Sequence, residues 1–290
     1  MSCSSDTPVP SAPSHRVHLE IAARTHVGRV REDNEDRLLV AHLGRSERTV
    51  GEFAGEADAS RGGIVMAVCD GMGGEAGGEV AASCAVEALY AALSRFGPVV
   101  DSATLGRRIV DAMREASAKI QEIAAREPRL KGMGTTATVA GVVDERLVVA
   151  HVGDSRAYRL RGGRLERLTD DQTLVEMMIR QGQLTPEQAK SCAYGHVIIQ
   201  ALGATRAIEV DLRTYDLTVG DVLVVCSDGL CGVVDDGAMA EVLASSATVE
   251  EGAERLVACA LQAGGTDNIS CIVARLSGDG LPRRQSFGPA

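Results

Sequence analysis

The sequence is poor in aromatic residues and has no tryptophan. Only 2% of its 290 residues are aromatic, whereas 45% are hydrophobic, so any core must be built from aliphatic side chains. This composition, with 24% charged residues, is ordinary for a globular protein that buries a real core. The length suits one large domain or two small ones.

Long apolar runs and an excess of positive charge are also lacking. No apolar stretch approaches the ~20 residues of a membrane span, and the N-terminus lacks a basic region followed by an apolar one. The formal net charge of −10 argues against nucleic acid or an anionic membrane as the main partner. Bound divalent cations would invert this negative field locally, so the acidity is compatible with a metal enzyme.

The eight cysteines form no C-x-x-C pair and no Cys/His zinc spacing. Several of them, such as Cys69 and Cys226, lie in apolar runs. This pattern indicates buried, reduced thiols, so we expect a cytoplasmic protein.

The composition changes at both ends of the chain. Residues 1–15 are rich in Ser and Pro and are predicted to be a disordered leader, and residues 278–290 are predicted to be a disordered tail. No long linker divides residues 16–277, which we therefore expect to form one domain. The polar segment 44–63 is predicted to be a long hairpin loop.

Alternating and apolar runs predict short strands, and 3.6-residue periodicity predicts helices. The ten predicted strands are 17–23, 37–42, 63–69, 135–143, 147–152, 157–161, 165–168, 211–215, 222–226 and 269–275. The predicted helices are 79–95, 105–126, 173–181, 185–190, 235–244 and 249–263. Segregated strands and helices with hairpin turns indicate an α+β fold of antiparallel sheets. Two sheets packed face to face, with helices outside, would accommodate these elements.

Three aspartates lie at the ends of strongly apolar strands. Asp70 and Asp228 each follow a predicted strand and precede a glycine, and Asp267 precedes the last predicted strand. Mg²⁺ and Mn²⁺ prefer hard oxygen ligands and usually keep several waters. An isolated Asp-Gly pair is most often a turn, but two such pairs after buried strands favour a site for a hard metal ion.

Two further acidic segments accompany these aspartates. Five of the six residues in Arg31–Asp36 are charged, and the chain then enters an apolar strand. The segment Val152-Gly-Asp-Ser-Arg156 closes another apolar strand, although taken alone it is typical of an Asp-Ser turn.

Together these pieces resemble the metal-dependent Ser/Thr protein phosphatases, the PPM or protein phosphatase 2C-like family, and its bacterial members in particular. The resemblance covers about residues 21–276. Its motifs occur in family order: Arg31-x-x-Asn-Glu-Asp36, Asp70-Gly-Met-Gly-Gly74, Gly134-Thr-Thr136, Val152-Gly-Asp-Ser-Arg156, Ser227-Asp-Gly-Leu230 and Gly265-Thr-Asp-Asn268. It implies a four-layer α-β-β-α sandwich, in which two antiparallel sheets are flanked by helices and a binuclear metal site lies at one end.

The same resemblance implies the metal ligands. Asp70 would bridge two Mg²⁺ or Mn²⁺ ions. The Gly71 carbonyl and Glu35, partly through water, would serve one ion, and Asp228 and Asp267 would serve the other. Asp154 matches a position that helps to hold a third, weaker ion. Arg31 matches the residue that docks the substrate phosphate, Asp36 a supporting acid, and 170–204 a flap beside the active site.

The implied activity is hydrolysis of phosphoserine and phosphothreonine on proteins. A hydroxide held between the ions would attack phosphorus directly while Arg31 binds the phosphoryl oxygens. The implied partners are phosphorylated proteins and a bacterial Ser/Thr kinase, and the chain is expected to act as a monomer. Two alternatives remain open, namely a non-catalytic module that binds a partner through the same fold and a metallohydrolase of small phosphate esters.

The chain departs from animal members at Met72, where they carry a His proposed as the general acid. Glu75 stands where bacterial members often show His, and it is either a proton donor, an outer ligand or a solvent-facing helix start. A satisfied sheet histidine is expected at His151 and a loop histidine at His196. The short sequence that precedes Ser286 resembles a phosphorylation site of a protein kinase, although such sequences are common in disordered tails. The general acid is unassigned.

Overall fold

The computed structural model describes residues 16–73, 77–189, 192, 194 and 197–283. The predicted leader and residues 284–290 of the predicted tail lie outside the described residues, as do Glu75, His196 and Ser286.

One antiparallel sheet has six strands. They are β1 (His18–His26), β4 (Phe53–Asp58), β10 (Arg156–Arg161), β11 (Arg164–Arg167), β13 (Val222–Cys226) and β14 (Ile269–Ser277). Their spatial order is β11-β10-β13-β14-β1-β4.

The second antiparallel sheet also has six strands. They are β2 (Arg37–His42), β3 (Glu47–Val50), β5 (Ile64–Cys69), β8 (Ala137–Val143), β9 (Arg146–Val152) and β12 (Asp211–Asp216). Their spatial order is β12-β9-β8-β5-β2-β3, and a two-stranded ladder joins β6 (Gly71–Met72) to β7 (Gly134–Thr135).

Helices cover the outer face of each sheet. The second sheet is covered by α1 (Gly77–Ser94) and α2 (Ser102–Arg126), whose predicted apolar stripe is buried. The first sheet is covered by α6 (Asp236–Ser245) and α7 (Val249–Gln262), next to the single turn α5 (Asp228–Cys231). The remaining helices are α3 (Leu174–Arg180), α4 (Pro186–Ala189) and two 3₁₀ turns, Ala59–Arg61 and Pro128–Leu130.

Three apolar layers separate these four layers of secondary structure. Strand β5 illustrates why its sequence is apolar throughout. Val65 and Ala67 pack towards the helices, whereas Met66 and Val68 pack between the two sheets. A strand buried on both faces has no solvent side, so its residues do not alternate in polarity. The predicted four-layer α+β sandwich is confirmed.

All ten predicted strands are present with small shifts of their ends, but the prediction for 44–63 is wrong in part. That segment contains β3 and β4, which lie at the edges of the two sheets. Both strands are largely exposed, and neither shows the alternation of apolar and polar residues by which strands are recognised.

The predicted disordered tail is also wrong at its start. Leu281 is only 4% exposed and packs between the sheets, and the Gly280 N–H donates to the Arg16 carbonyl at 3.0 Å. Gly278 makes the necessary turn with a φ of +116°, where a Cβ would lie 2.1 Å from the Arg16 carbonyl oxygen. One turn and one leucine therefore attach residues 278–281 to the sandwich.

The seven cysteines in the described part of the chain are free thiols. Cys69, Cys226, Cys231 and Cys271 are buried, and the other three are partly exposed. Among the described residues, no helix combines the length and the apolarity that crossing a membrane requires.

Candidate metal centre

The carboxylates expected at strand ends meet at one end of the sandwich. Asp70 follows β5 of the second sheet, and Asp228 follows β13 of the first and begins α5. Because the two sheets are stacked, these ends face each other, and the Asp70 and Asp228 carboxyl groups are close enough for the charge of Asp228 to raise the pKa of Asp70. Both residues are partly exposed, so an ion can approach them from solvent.

Two buried carboxyl groups, those of Asp36 and Asp154, lie close to this pair. Desolvation, followed by the charges of Asp36, Asp228 and Asp154, raises the pKa of Asp70. Burial is likewise the largest cause that raises the pKa of Asp36 and of Asp154, each to about 7. Like charges in a largely buried cluster disfavour ionisation, and a bound cation would favour it.

The donor set fits divalent cations. The Oδ1 atoms of Asp36 and Asp154 are buried and have no hydrogen-bond partner among the described residues. Within the same described residues, no three His, Cys, Asp or Glu side chains surround a single point. Mg²⁺ and Mn²⁺ are often bound by only one or two carboxylates, with water and carbonyl oxygens completing the shell, and the two unpartnered Oδ1 atoms are donors of this kind.

The Gly134-Thr-Thr136 motif holds the backbone of Asp70. The Asp70 N–H donates to the Thr136 Oγ1 at 3.0 Å, and the Thr136 N–H donates to the Asp70 carbonyl at 2.9 Å. The Thr135 hydroxyl donates to that same carbonyl at 2.8 Å. Three hydrogen bonds thus fix the backbone of Asp70 to Thr135 and Thr136, at the junction between β7 and β8.

The Gly-Asp-Ser motif is held by the same threonine. The hydroxyl groups of Ser155 and Thr136 are 2.8 Å apart. Gly153 has a φ of +113°, and a Cβ there would lie 2.6 Å from the Thr136 Cγ2, so only glycine lets the turn approach. Asp154 lies between Gly153 and Ser155, so the contacts of these two neighbours with Thr136 fix its position.

Asn268 anchors the acidic segment Arg31–Asp36. Its Oδ1 accepts from the Glu35 N–H at 2.8 Å, and its Nδ2 donates to the carbonyls of Val27 and Asp33, both at 2.9 Å. The Ser227 hydroxyl donates to the Asp36 Oδ2 at 2.7 Å, which links this segment to the residue before Asp228.

Glu35 lies at the N-terminus of α1. Its carboxylate lies against the backbone of Gly78, and burial, the largest effect, raises its pKa. A Cβ on Gly78 would lie 2.5 Å from the Glu35 Oε1, and a Cβ on Gly71 would lie 2.2 Å from the Gly78 carbonyl oxygen. The glycines after Asp70 and in α1 therefore leave the space that brings Glu35 and Gly71 together.

Arg31 lies at the rim of the centre. Its Nη2 donates to the Asp267 Oδ2 at 2.7 Å, and the two side chains are 52% and 36% exposed. The Asp267 Oδ1 accepts from the Asn268 N–H at 2.8 Å. The structure thus pairs the expected phosphate-binding residue with an expected metal ligand.

The other candidates are placed as follows. His151 is buried, its Nδ1 lies 2.9 Å from the Thr138 Oγ1, and burial lowers its pKa to about 4, so it is a neutral sheet histidine. The expectation that it is satisfied is wrong in part, because its Nε2 is buried without a hydrogen-bond partner among the described residues. Met72 lies in β6 and is partly exposed.

Four further residues belong to the motifs but carry no role that the sequence predicts, namely Thr136, Ser227, Arg156 and Asn268. Each is a hydrogen-bonding residue behind the carboxylates. Ser227 and Asn268 adjoin candidate ligands in the sequence and Arg156 lies two residues after Asp154, whereas Thr136 is far from every candidate ligand in the chain.

Comparisons with known proteins agree with this geometry. Residues 52–264 match the family model described as Protein phosphatase 2C. Serine/threonine protein phosphatase PstP of Mycobacterium tuberculosis is 35% identical over 237 residues, which are 82% of this chain but 45% of the relative. Serine/threonine phosphatase stp of Listeria innocua is 31% identical over 257 residues, which are 89% of this chain and 95% of the relative.

A solved structure supports the same assignment. The catalytic domain of serine threonine protein phosphatase PstP, in complex with two manganese ions, superposes with a TM-score of 0.73 at 35% identity. The match covers 90% of this chain and 99% of that domain, although this chain spans less than half of the full-length M. tuberculosis relative. The family model and the relatives together show that the chain belongs to the protein phosphatase 2C family.

Proposed function

We propose that the chain hydrolyses phosphoserine and phosphothreonine on proteins in a reaction that depends on Mg²⁺ or Mn²⁺. The proximity of the Asp70 and Asp228 carboxyl groups, with Asp36 and Asp154 behind them, carries this proposal. Such a concentration of carboxyl groups is typical of a centre for divalent cations. The relatives from Mycobacterium tuberculosis and Listeria innocua are named serine/threonine phosphatases, which supports the substrate class.

The proposed centre takes two cations, as in the PstP catalytic domain, and a weaker third. Asp70 would bind both cations. Glu35 and the Gly71 carbonyl would bind one of them, and Asp228 and Asp267 would bind the other. Asp154, with its unpartnered Oδ1, would hold the third. When bound, such ions polarise phosphoryl oxygens and lower the pKa of water.

The chain's own residues would orient the substrate and the ligands. Arg31 is exposed enough to exchange Asp267 for a phosphoryl group, to which a guanidinium can donate two parallel hydrogen bonds. Asp36 would support the centre by accepting a hydrogen bond from the Ser227 hydroxyl, whose oxygen in turn accepts from the Ser270 N–H at 3.0 Å. These bonds keep the ends of β13 and β14 in place beneath Asp228 and Asp267.

The finer parts of the proposal concern the cellular setting. We propose that the enzyme opposes a bacterial Ser/Thr protein kinase, acts as a monomer and works in the cytoplasm. Seven free thiols support a reducing compartment. The roles of individual ligands rest on the motif positions and on the contacts described above.

The test is phosphate release from phosphopeptides, p-nitrophenyl phosphate and small phosphate metabolites, with Mn²⁺ or with EDTA. Asp70→Asn and Asp228→Asn should abolish activity, whereas Asp111→Asn, on the exposed face of α2, should keep it. Equal activity in EDTA would refute the metal requirement. A higher catalytic efficiency on phosphate metabolites than on phosphopeptides would favour a hydrolase of small phosphate esters. Metal binding without any phosphate release would favour a non-catalytic binding module.

A further inference from the structure

Arg156, the first residue of β10, lies two residues after Asp154 and makes a bidentate ion pair. Its Nε donates to the Asp171 Oδ1 at 2.9 Å, and its Nη2 donates to the Asp171 Oδ2 at 2.6 Å. The two side chains are only 22% and 13% exposed, so the pair is largely removed from water. A planar guanidinium in this geometry fixes direction as well as distance.

The third nitrogen of Arg156 reaches the element that carries Asp228. Its Nη1 donates to the Cys231 carbonyl at 3.1 Å and to the Tyr158 hydroxyl at 3.2 Å. Cys231 ends the four-residue helix α5, and Asp228 begins it. Since α5 is a single turn, a bond to its last carbonyl constrains its first residue as well.

The residue after Asp171 is tied to the other side of Asp154. The Gln172 N–H donates to the Gly153 carbonyl at 2.7 Å, and the Gly153 N–H donates to the Gln172 Oε1 at 3.0 Å. Asp171 and Gln172 are therefore bonded to the chain on both sides of Asp154, Asp171 to Arg156 and Gln172 to Gly153. The buried Oδ1 of Asp154 has no partner among the described residues, so the backbone of the turn must place this carboxylate.

We propose that Arg156, paired with Asp171, is a positioning residue that sets the distance between Asp154 and Asp228. By setting this distance, the pair determines the affinity of the third, weaker cation site, to which Asp154 is assigned. The inference rests on the proposed function only in taking these carboxylates as cation ligands. The guanidinium of Arg156 is taken up by Asp171, Tyr158 and the Cys231 carbonyl, so it would act through the ligands. Residues that support metal ligands in this way change metal affinity by about 10- to 100-fold in other proteins.

A purely structural ion pair is the competing explanation, and the same strand offers a matched control. Arg161, at the other end of β10, donates from Nε and Nη2 to the two carboxylate oxygens of Asp221 at 2.7 and 2.6 Å. Arg161→Lys therefore breaks an equivalent bidentate pair away from Asp154. If both ion pairs only stabilise the fold, Arg156→Lys and Arg161→Lys should have the same effect on Mn²⁺ affinity.

The experiment titrates the purified full chain with Mn²⁺ in a calorimeter, without substrate. Asp154→Asn first identifies the binding class that depends on Asp154. Arg156→Lys should weaken that class by about tenfold or more, Asp171→Asn should act in the same direction, and Arg161→Lys should leave it unchanged. In the Asp154→Asn background, Arg156→Lys should have no further effect on Mn²⁺ binding, as a double-mutant cycle requires of coupled residues.

Three results would overturn the inference. They are equal effects of Arg156→Lys and Arg161→Lys, unchanged Mn²⁺ affinity in Arg156→Lys, and a wild-type titration with no class that Asp154→Asn removes. If Arg156→Lys does not fold, Asp171→Asn decides by the same criteria. Mn²⁺ binding with these effects but without phosphate release would refute the proposed phosphatase and leave the positioning role standing.

Discussion

The backbone N–H of Asp70 donates to the side-chain hydroxyl of Thr136 at 3.0 Å, and that hydroxyl lies 2.8 Å from the hydroxyl of Ser155. One buried threonine thus joins the strand end that carries Asp70 to the turn that carries Asp154. The two carboxylates are 84 residues apart in the chain (154 − 70) but share this support.

Thr136→Val tests this support because valine keeps the shape of threonine and removes the hydroxyl. The Asp70 N–H would then be left without its acceptor, which should cost about 1–3 kcal/mol of unfolding free energy. Phosphate release should fall by about 10- to 100-fold because Asp70 is less firmly held. Urea unfolding and steady-state kinetics measure the two effects. Ser246→Ala, which removes a buried hydroxyl bonded to Val242 within the helix layer, should lower stability without lowering kcat.

Gly153→Ala should be more damaging than Gly163→Ala, although both glycines have positive φ. At Gly163 a Cβ meets nothing within 4 Å, so only the backbone penalty of about 1 kcal/mol applies. At Gly153 a Cβ would also lie 2.6 Å from Thr136, which should displace the Asp154 turn and reduce Mn²⁺ binding. Thermal unfolding and calorimetry of both variants check this, and equal losses would contradict the packing argument.

Arg31→Lys should raise KM for phosphopeptides by about tenfold, with a smaller change in kcat, because lysine keeps the charge but cannot donate two parallel hydrogen bonds to a phosphoryl group. Arg29→Lys alters a neighbouring exposed arginine and should leave both constants unchanged. Initial-rate kinetics over a range of peptide concentrations measure the split. An unchanged KM in Arg31→Lys would remove Arg31 from substrate binding.

The stability of the metal-free protein should depend on pH through Asp36. Burial raises the pKa of Asp36 from 3.8 to about 7, so the folded state binds a proton that the unfolded state releases. This contribution is fully present below about pH 4 and is lost as pH rises through about 7, with a span of up to about 4 kcal/mol. Asp36→Asn cannot titrate and should remove it.

His151 acts in the opposite direction, because burial lowers its pKa to about 4 and stability therefore rises between about pH 4 and 6.5. The comparison of wild type with Asp36→Asn by urea unfolding from pH 4 to 8 cancels this effect. Saturating Mn²⁺ should reduce the loss at high pH, since a cation favours ionised carboxylates. Identical pH profiles for the two proteins would show that Asp36 does not titrate in this range.

Much of the fold could be predicted because the responsible signals are local. Strands such as β5 and β13 are apolar over their whole length, and α2 repeats its apolar residues every three or four positions. Strands β3 and β4 could not be predicted in the same way. As exposed edge strands they acquire their conformation from pairing with β2 and β1, which no pattern within 44–63 records.

The sequence by itself determined the layers of the sandwich, the positions of the carboxylates at strand ends and the family resemblance of its motifs. Each of these depends on residues that are close in the chain. Only the tertiary structure decided that Asp70 meets Asp228, that Thr136 supports both Asp70 and Asp154, and that Arg156 joins Asp171 to α5. These contacts join distant segments, and they arise because stacking two sheets brings the ends of separate strands to one place.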